Sequence, residues 1–553
     1  MHNRFNPPHT RRTVLKGGAA VIGLATVGLP LHPAAAATPV RPALSTPEGQ
    51  AMLAIYEQAV GLMKDPAINN PPQPQSWTFQ AYIHALAIDP TNPNSKGYPH
   101  GSVAFKAKID EIYGLNPSGP AAEWKKAALA CWSTCPHGSA YFLPWHRWYM
   151  YYFEQVIRAV TNRPDFALPY WDYAANESTT LQLPAAFQNP QSPLYESIRG
   201  NGFTDPLNLV SQTQPMNDNG YLGYALVEYD GSLVATEYFL ADTGDTLFFP
   251  PTPGWYAYGY TGRTETQPHD NVHDGVGGLM GNVPTAARDP IFYMHHCQID
   301  HLWASWQSYP GNDTINFAPA GQGTDARPTQ ADWDATVFAF VDGTGALVTA
   351  TAPGAVDYRG LYGYDGLAPK PGDKAVAVAA AAAGVVRAAA PGGGAPLAAT
   401  AGVVVGPGGT TLTLDPAAPA AAGLPRALGS TAAPGTLLLK DVVLETRPPA
   451  PLYVFVNLPQ GAVAEVGGPN YVGPVNLFKL EPAGGQPQGG HGSHGGHGAA
   501  AVTYSYDVAE VLRAQRAAGT WSGGPITVTI TTAGAVPSPD AVYLRIGAVE
   551  LSE

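Results

Sequence analysis

The chain has 553 residues, enough for two or more domains, each with its own core. Only 13 % of it is charged, glycine (62) and proline (55) are abundant, and the net charge is −13. An acidic chain argues against nucleic acid as a partner, since phosphates demand a positive footprint, and three cysteines are too few for a disulfide scaffold of this size.

Residues 1–37 read as a targeting segment. They hold four basic groups and no acidic one, with paired Arg11 and Arg12, an apolar stretch over 17–31 and small residues around Ala36 and Ala37. The apolar stretch is too short to cross a bilayer comfortably, and its flanks predict export rather than anchoring. Twin arginines ahead of Val-Leu-Lys resemble the bacterial twin-arginine export signal, which implies a secreted, periplasmic or extracellular protein with no membrane contact beyond export.

Residues 38–370 are dense in aromatic side chains and in helical periodicity. "PEGQAMLAIYEQAVGLMKD" spaces its apolar residues as a helix does, with Pro47 near the start. "FLPWHRWYMYYFEQVIRAV" (142–160) predicts about four turns, stopped by "TNRP". "HDNVHDGVGGLM" and "IFYMHHCQIDHLWASWQ" supply two further helices, and the Pro-, Asn- and Gly-rich stretches between them read as long loops. The expectation is a mainly α domain, a helical bundle wrapped by irregular chain. Composition then shifts. Residues 371–399 are Ala/Gly/Pro-rich and read as a linker, with a weak helix as the alternative. From 400 to 553 short runs bounded by turns ("TTLTL", "TLLLKDVVLE", "PLYVFVNLP", "VNLFKLEP", "VTYSYDV", "PITVTITTA", "AVYLRIGAVEL") predict a C-terminal all-β, sandwich-like domain.

Among the fifteen histidines, six fall into two sets of three. His269 and His273 are four apart, so on a helix both project from one face, with a third imidazole from His295 or His296. His137 and His146 form the other set, with His84 as its third member. Neutral imidazole suits copper, zinc and iron, so the donors alone leave the metal open. Two all-histidine sets without a carboxylate in register weigh against a di-iron or di-manganese carboxylate bundle.

"HGSAYFLPWHRWYMYYFE" resembles the copper-A segment of the tyrosinase, catechol oxidase and mollusc-haemocyanin superfamily, and "PHDNVHD" with "ARDPIFYMHHCQIDHLW" resembles its copper-B segment. "PYWDY" (169–173) and "DYRGLYGY" (357–364) extend the likeness. The resemblance implies two copper ions in a type-3 centre, one held by His84, His137 and His146, the other by His269, His273 and His296. His295 is then the neighbour that shapes the pocket, since adjacent helical residues point about 100° apart and cannot easily reach one copper. His301 stands where relatives carry Arg or Lys, altering a surface or nearby contact. Asp300 and Asp172 are candidates for orienting ligand imidazoles, with capping or ion pairing as the alternative.

The same resemblance implies roles for three further residues. Cys135, two before His137, has the spacing of the Cys–His thioether of fungal tyrosinases and mollusc haemocyanins; a Cys131–Cys135 disulfide competes with it. Cys297 is expected to pack as a small apolar group. Glu265, four before His269, is placed like the glutamate that holds an ordered water in plant polyphenol oxidases. Asp270 stands where tyrosinases with strong monophenol activity often carry Asn, and it bears on phenol deprotonation together with Glu265.

The implied activity is oxidation of o-diphenols to o-quinones with O₂ reduced to water. The resemblance leaves open whether monophenols are hydroxylated too, and an o-aminophenol oxidase or a haemocyanin-like oxygen carrier would share the copper motifs. Partners are then small phenols and O₂. The C-terminal region is similar to the domain that covers the copper site and keeps it latent in plant polyphenol oxidases. A protease is expected to cut near 371–399, for instance at Arg387, and "HGSHGGHG" (491–498) reads as a polar loop or a copper-loading segment.

Overall fold

The computed structural model describes residues 38–137, 140–173, 183–199, 264–310, 328–368, 398–414, 435–448, 452–464, 468–478, 502–532 and 541–552, with a few single residues and short pieces between them. The export segment, the linker as far as residue 397, Arg387 and the 491–498 histidines lie outside these residues. Pro39–Glu553 forms one compact unit.

Among the helices described in the first half, four matter most for the core and the site. Helix α1 (Pro47–Met63) starts where sequence chemistry says it should: Thr46 accepts the Gly49 N–H and Pro47 sits at the first helical position. Helix α2 (Trp77–His84) is capped by Ser76 and ends on a histidine. Helices α3 (Pro120–Cys131) and α4 (Phe142–Thr161) follow, and α4 closes on Asn162 in the left-handed region, φ 54°. In the second half a π-helical turn, Glu265–Asp270, runs into helix α5 (Asn271–Val276), and helix α6 (Ile291–Gln307) is buried on nearly every face. A helix buried all round needs aromatic packing rather than one apolar stripe. It gets it from α4 and α2: Tyr293 stacks on Phe153 at 3.6 Å and meets Trp77 edge-on at 5.4 Å.

A buried charge network ties α4 and α6 to the start and end of this region. Arg41 pairs with Glu154 (2.8 Å) and Asp300 (2.9 Å), Arg147 reaches Asp300 at 2.5 Å, and the Tyr362 and Tyr364 hydroxyls donate to the same carboxylate. Of the two readings of Asp300, ion pairing is the one observed. Asp300 lies one turn beyond His296 on α6, where two arginines converge, and it orients those guanidinium groups rather than an imidazole. His301 is likewise no surface residue: it is buried, stacked on Tyr170 at 4.2 Å, with Nε2 2.9 Å from the Gly366 carbonyl oxygen. Cys297 is a small buried group as expected, its thiol on the Leu168 carbonyl.

The C-terminal region folds as two four-stranded antiparallel sheets. One has the order β4 (Val502–Asp507), β2 (Thr436–Leu444), β6 (Leu544–Ser552), β1 (Ala398–Val405), and the other runs Thr410–Leu414, β5 (Ile526–Thr532), β3 (Leu452–Val456), Tyr471–Val475. Strand β1 begins at Ala398, so the last two residues assigned to the linker belong to the sheet. A helix, Ala509–Ala517, adds to the strands and buries Leu512 in the sandwich core. The run "VNLFKLEP" is not a strand of its own. The chain leaves the sheet at Val475, and Phe478 packs with the helical core, not with the sandwich.

Candidate metal centre

Each histidine of the two sets is delivered by a different device. His84 ends α2, His137 follows α3 in a turn, and His146 lies in the first turns of α4. His269 lies near the end of the π-helical turn, His273 sits on α5, and His295 and His296 are adjacent on α6. All seven are buried. Possible ligand atoms of His84, Cys135, His137 and His146 lie within 4.8 Å of one another, and so do those of His269, His273, His295 and His296. The two groups abut: the His146 and His296 rings stack at 4.2 Å and the His137 and His269 rings are 5.7 Å apart.

The hydrogen bonds say which nitrogen is available. His146 Nδ1 faces the Phe142 carbonyl at 2.7 Å, His273 Nδ1 the Met280 carbonyl at 2.8 Å, and His269 Nδ1 the Glu265 carbonyl at 3.2 Å and Asp270 Oδ1 at 2.8 Å. Carbonyl and carboxylate oxygens only accept, so each of these Nδ1 atoms carries the proton and each Nε2 keeps its lone pair. His269 Nε2, His296 Nδ1 and the ring nitrogens of His84 are buried with no hydrogen-bond partner. Buried polar atoms without partners are costly unless something else satisfies them. Burial also drives the imidazoles neutral: His84 and His295 are pushed down to about 3, and His146, His269, His273 and His296 fall well below the usual histidine range. His273 and His296 face each other Nε2 to Nε2 at 3.3 Å, about the separation of two nitrogens on one tetrahedral metal with ~2.0 Å bonds. The residues present fit a pair of metal ions.

His295 differs from its neighbour. Its ring contacts His269, His273 and His296, and its Nδ1 is 3.0 Å from the Tyr173 hydroxyl. Tyr173 belongs to the "PYWDY" motif, so the motif anchors the histidine that precedes His296. Asp270 turns one oxygen onto His269 rather than standing apart as a loop carboxylate, and Glu265 is fully buried at the head of the same turn. Asp172 lines a separate cavity of about 400 Å³ with Leu44, Gln50 and Trp171, outside both histidine groups. Cys131 and Cys135 are not joined by a disulfide. Cys135 Sγ lies 3.4 Å from His137 Nδ1 and 3.8 Å from Nε2, so it faces the ring edge carrying the carbon between them; it is also 3.3 Å from His146 Nε2.

Sequence reasoning expected a cover from the C-terminal region but did not name the residue that covers or the phenylalanines that wall the site. Phe142 lies 4.4 Å from His146 and 4.7 Å from His269, and Phe292 lies 4.9 Å from His84 and 4.2 Å from His296. Their signal was position, one helical turn before a histidine of the set. From the C-terminal region Phe478 stacks on His273 at 3.9 Å with a 12° tilt, 5.4 Å from His269 and 5.6 Å from His137. Leu477 N–H donates to Asp274 at 2.8 Å, and Arg447 holds the Leu477, Phe478 and Leu480 carbonyls while reaching Asn282 Oδ1 at 3.3 Å.

Comparison with known proteins gives the same answer. Residues 74–309 match the common central domain of tyrosinase, and residues 398–552 match a domain of unknown function, DUF7868. Tyrosinase HcTyr1 of Hahella sp. (strain CCB-MM4) is 32 % identical over 286 residues, 48 % of this chain and 53 % of the relative. Polyphenol oxidase A1 of Vicia faba is 31 % identical over 256 residues, 44 % of this chain and 39 % of the relative. The alignments thus span about half or less of these relatives' length. Latent apple tyrosinase shares the fold at 20 % identity and TM-score 0.54, over 94 % of this chain and 98 % of that one. Residues 74–309, which bring both histidine groups together, thus form a tyrosinase-type central domain, and that domain with its two buried histidine groups supports a centre of two copper ions.

Proposed function

We propose that this protein oxidises o-diphenols to o-quinones at a dicopper site, two catechols and one O₂ giving two quinones and two waters. The observation that carries this reading is the pair of abutting, buried histidine groups. His84, His137 and His146 would hold one copper, and His269, His273 and His296 the other. Copper supplies the two-electron reduction of O₂ that no side chain can perform. The chain does the rest: carbonyls fix the imidazole tautomers, Phe142 and Phe292 wall the site against water, and His273 offers a ring face for an aromatic substrate. His295, held by Tyr173, shapes the floor beside His269 and His273. Glu265 and Asp270 handle the phenolic proton and set the donor strength of His269. Cys135, facing the edge of His137, is placed for a thioether.

Phe478 occupies the ring position above His273, so the C-terminal domain is read as a cover that keeps the enzyme latent until it is displaced. A protein exported folded through the twin-arginine route would thereby stay inactive until outside. Among the described residues no helix is long and apolar enough to cross a membrane. The test is copper counting with O₂ uptake: two coppers per chain and catechol-dependent uptake at one O₂ per two quinones. O₂ binding without catechol turnover would sink the oxidase reading in favour of a carrier, and turnover of o-aminophenol alone would make it an aminophenol oxidase.

A further inference from the structure

We infer that Asp274 selects phenols whose side chain carries a cation, phenylalkylamines above all, once the cover is displaced. The inference rests on the covered-site reading above. In the covered form the C-terminal region sets three groups at the mouth of the centre. The Phe478 ring lies on His273 at 3.9 Å, the Leu477 N–H donates to Asp274 Oδ2 at 2.8 Å, and Arg447 Nη1 stands 3.9 Å from Oδ1 of the same carboxylate. A flat ring with an N–H donor and a positive charge a few ångströms away is the outline of an arylalkylammonium ion. The cover therefore imitates a ligand, and the half that belongs to the catalytic region is His273 and Asp274.

These two residues are adjacent on α5, so the carboxylate is fixed relative to the face on which a ring would lie. The Asp274 side chain is 12 % exposed even under the cover. When Leu477 and Arg447 withdraw, Asp274 loses these two contacts, and a ligand cation can take their place. A second carboxylate, Asp270, stands on the same turn against His269, and the net charge of −13 draws cations and repels anions at longer range. A phenol ending in a carboxylate meets like charges at each of these points. The discrimination works through repulsion as much as attraction.

The experiment uses the full-length, copper-loaded protein opened with mild detergent. It compares dopamine with 3-(3,4-dihydroxyphenyl)propionate, and it ranks 2-phenylethylamine against 3-phenylpropionate as non-reacting competitors. We expect dopamine to be favoured at least tenfold in kcat/KM, through KM, with the competitors in the same order. Asp274→Asn should bring both ratios close to one, and Asp274→Glu should retain most of the preference. A wild-type ratio near one, or a ratio that Asp274→Asn leaves in place, overturns the inference. If Asp274→Asn loses copper, competitor binding to copper-free wild type decides: equal affinity for amine and carboxylate overturns it. Failure of the covered-site reading is separately visible, as no gain in activity with detergent, and the selectivity can still be read on the basal rate.

Discussion

Adjacent residues with the same side chain do different work at this centre. His296 stacks on His146 and meets His273 nitrogen to nitrogen, whereas His295 is turned toward Tyr173. His296→Ala should therefore lose one copper and all activity, and His295→Ala should keep both metals, as measured by copper per chain; loss in the second variant alone would reverse the assignment. Cys135 makes a covalent claim. Its sulfur faces the edge of His137 and no disulfide competes, so copper loading in air should lower the intact mass by about two hydrogens, with a Cys135–His137 crosslinked peptide. The reading requires reductant to leave that mass unchanged, since a thioether, unlike a disulfide, is not reduced.

At the scale of elements, α4 and α6 are held in register by charge as well as by rings. Asp300 is fully buried, and burial alone would raise its pKa. Arg147, Arg41 and the Tyr362 and Tyr364 hydroxyls outweigh that and hold it below the usual carboxylate range. Removing one member of a buried network leaves uncompensated charge, so Asp300→Asn should cost about 3–5 kcal/mol in denaturant unfolding of the copper-free protein. The sign with pH follows from the downward shift. The folded state binds this proton less readily than the unfolded chain, so the contribution is complete above about pH 4 and disappears as pH falls through the lower folded value. The gap between wild type and variant should narrow only in that acid range.

At the scale of the molecule, a sandwich with its own core lends one residue to the core of the helices. Phe478 sits on His273 because Arg447 gathers the carbonyls of its turn and faces Asp274 and Asn282. Two full-length variants test this cover. Phe478→Ala should raise activity without detergent, mostly by lowering KM for catechols. Arg447→Ala should do the same by loosening the turn while leaving the ring in the chain. If both hold two coppers, remain folded and are no faster than wild type, the domain is a structural module and not a cover.

The sequence determined the helices, the histidine sets and the sandwich, because all three are written in local spacing. Apolar residues at helical period predict α1, α4 and α6; His269 and His273 four apart predict a shared face; alternating runs between turns predict most strands. Only tertiary structure decided the rest, because it depends on residues far apart in the chain. Sequence left Asp300 between orienting an imidazole and ion pairing, and Arg41 and Arg147, converging on it from 259 and 153 positions away, decide for the ion pair. "VNLFKLEP" had the composition of a strand, and periodicity has no means of showing that its phenylalanine is buried against a histidine in another core. Nor does it show that a lid arginine answers an aspartate beside that histidine. Those pairings are set by how the sandwich docks, and docking leaves no period in a sequence.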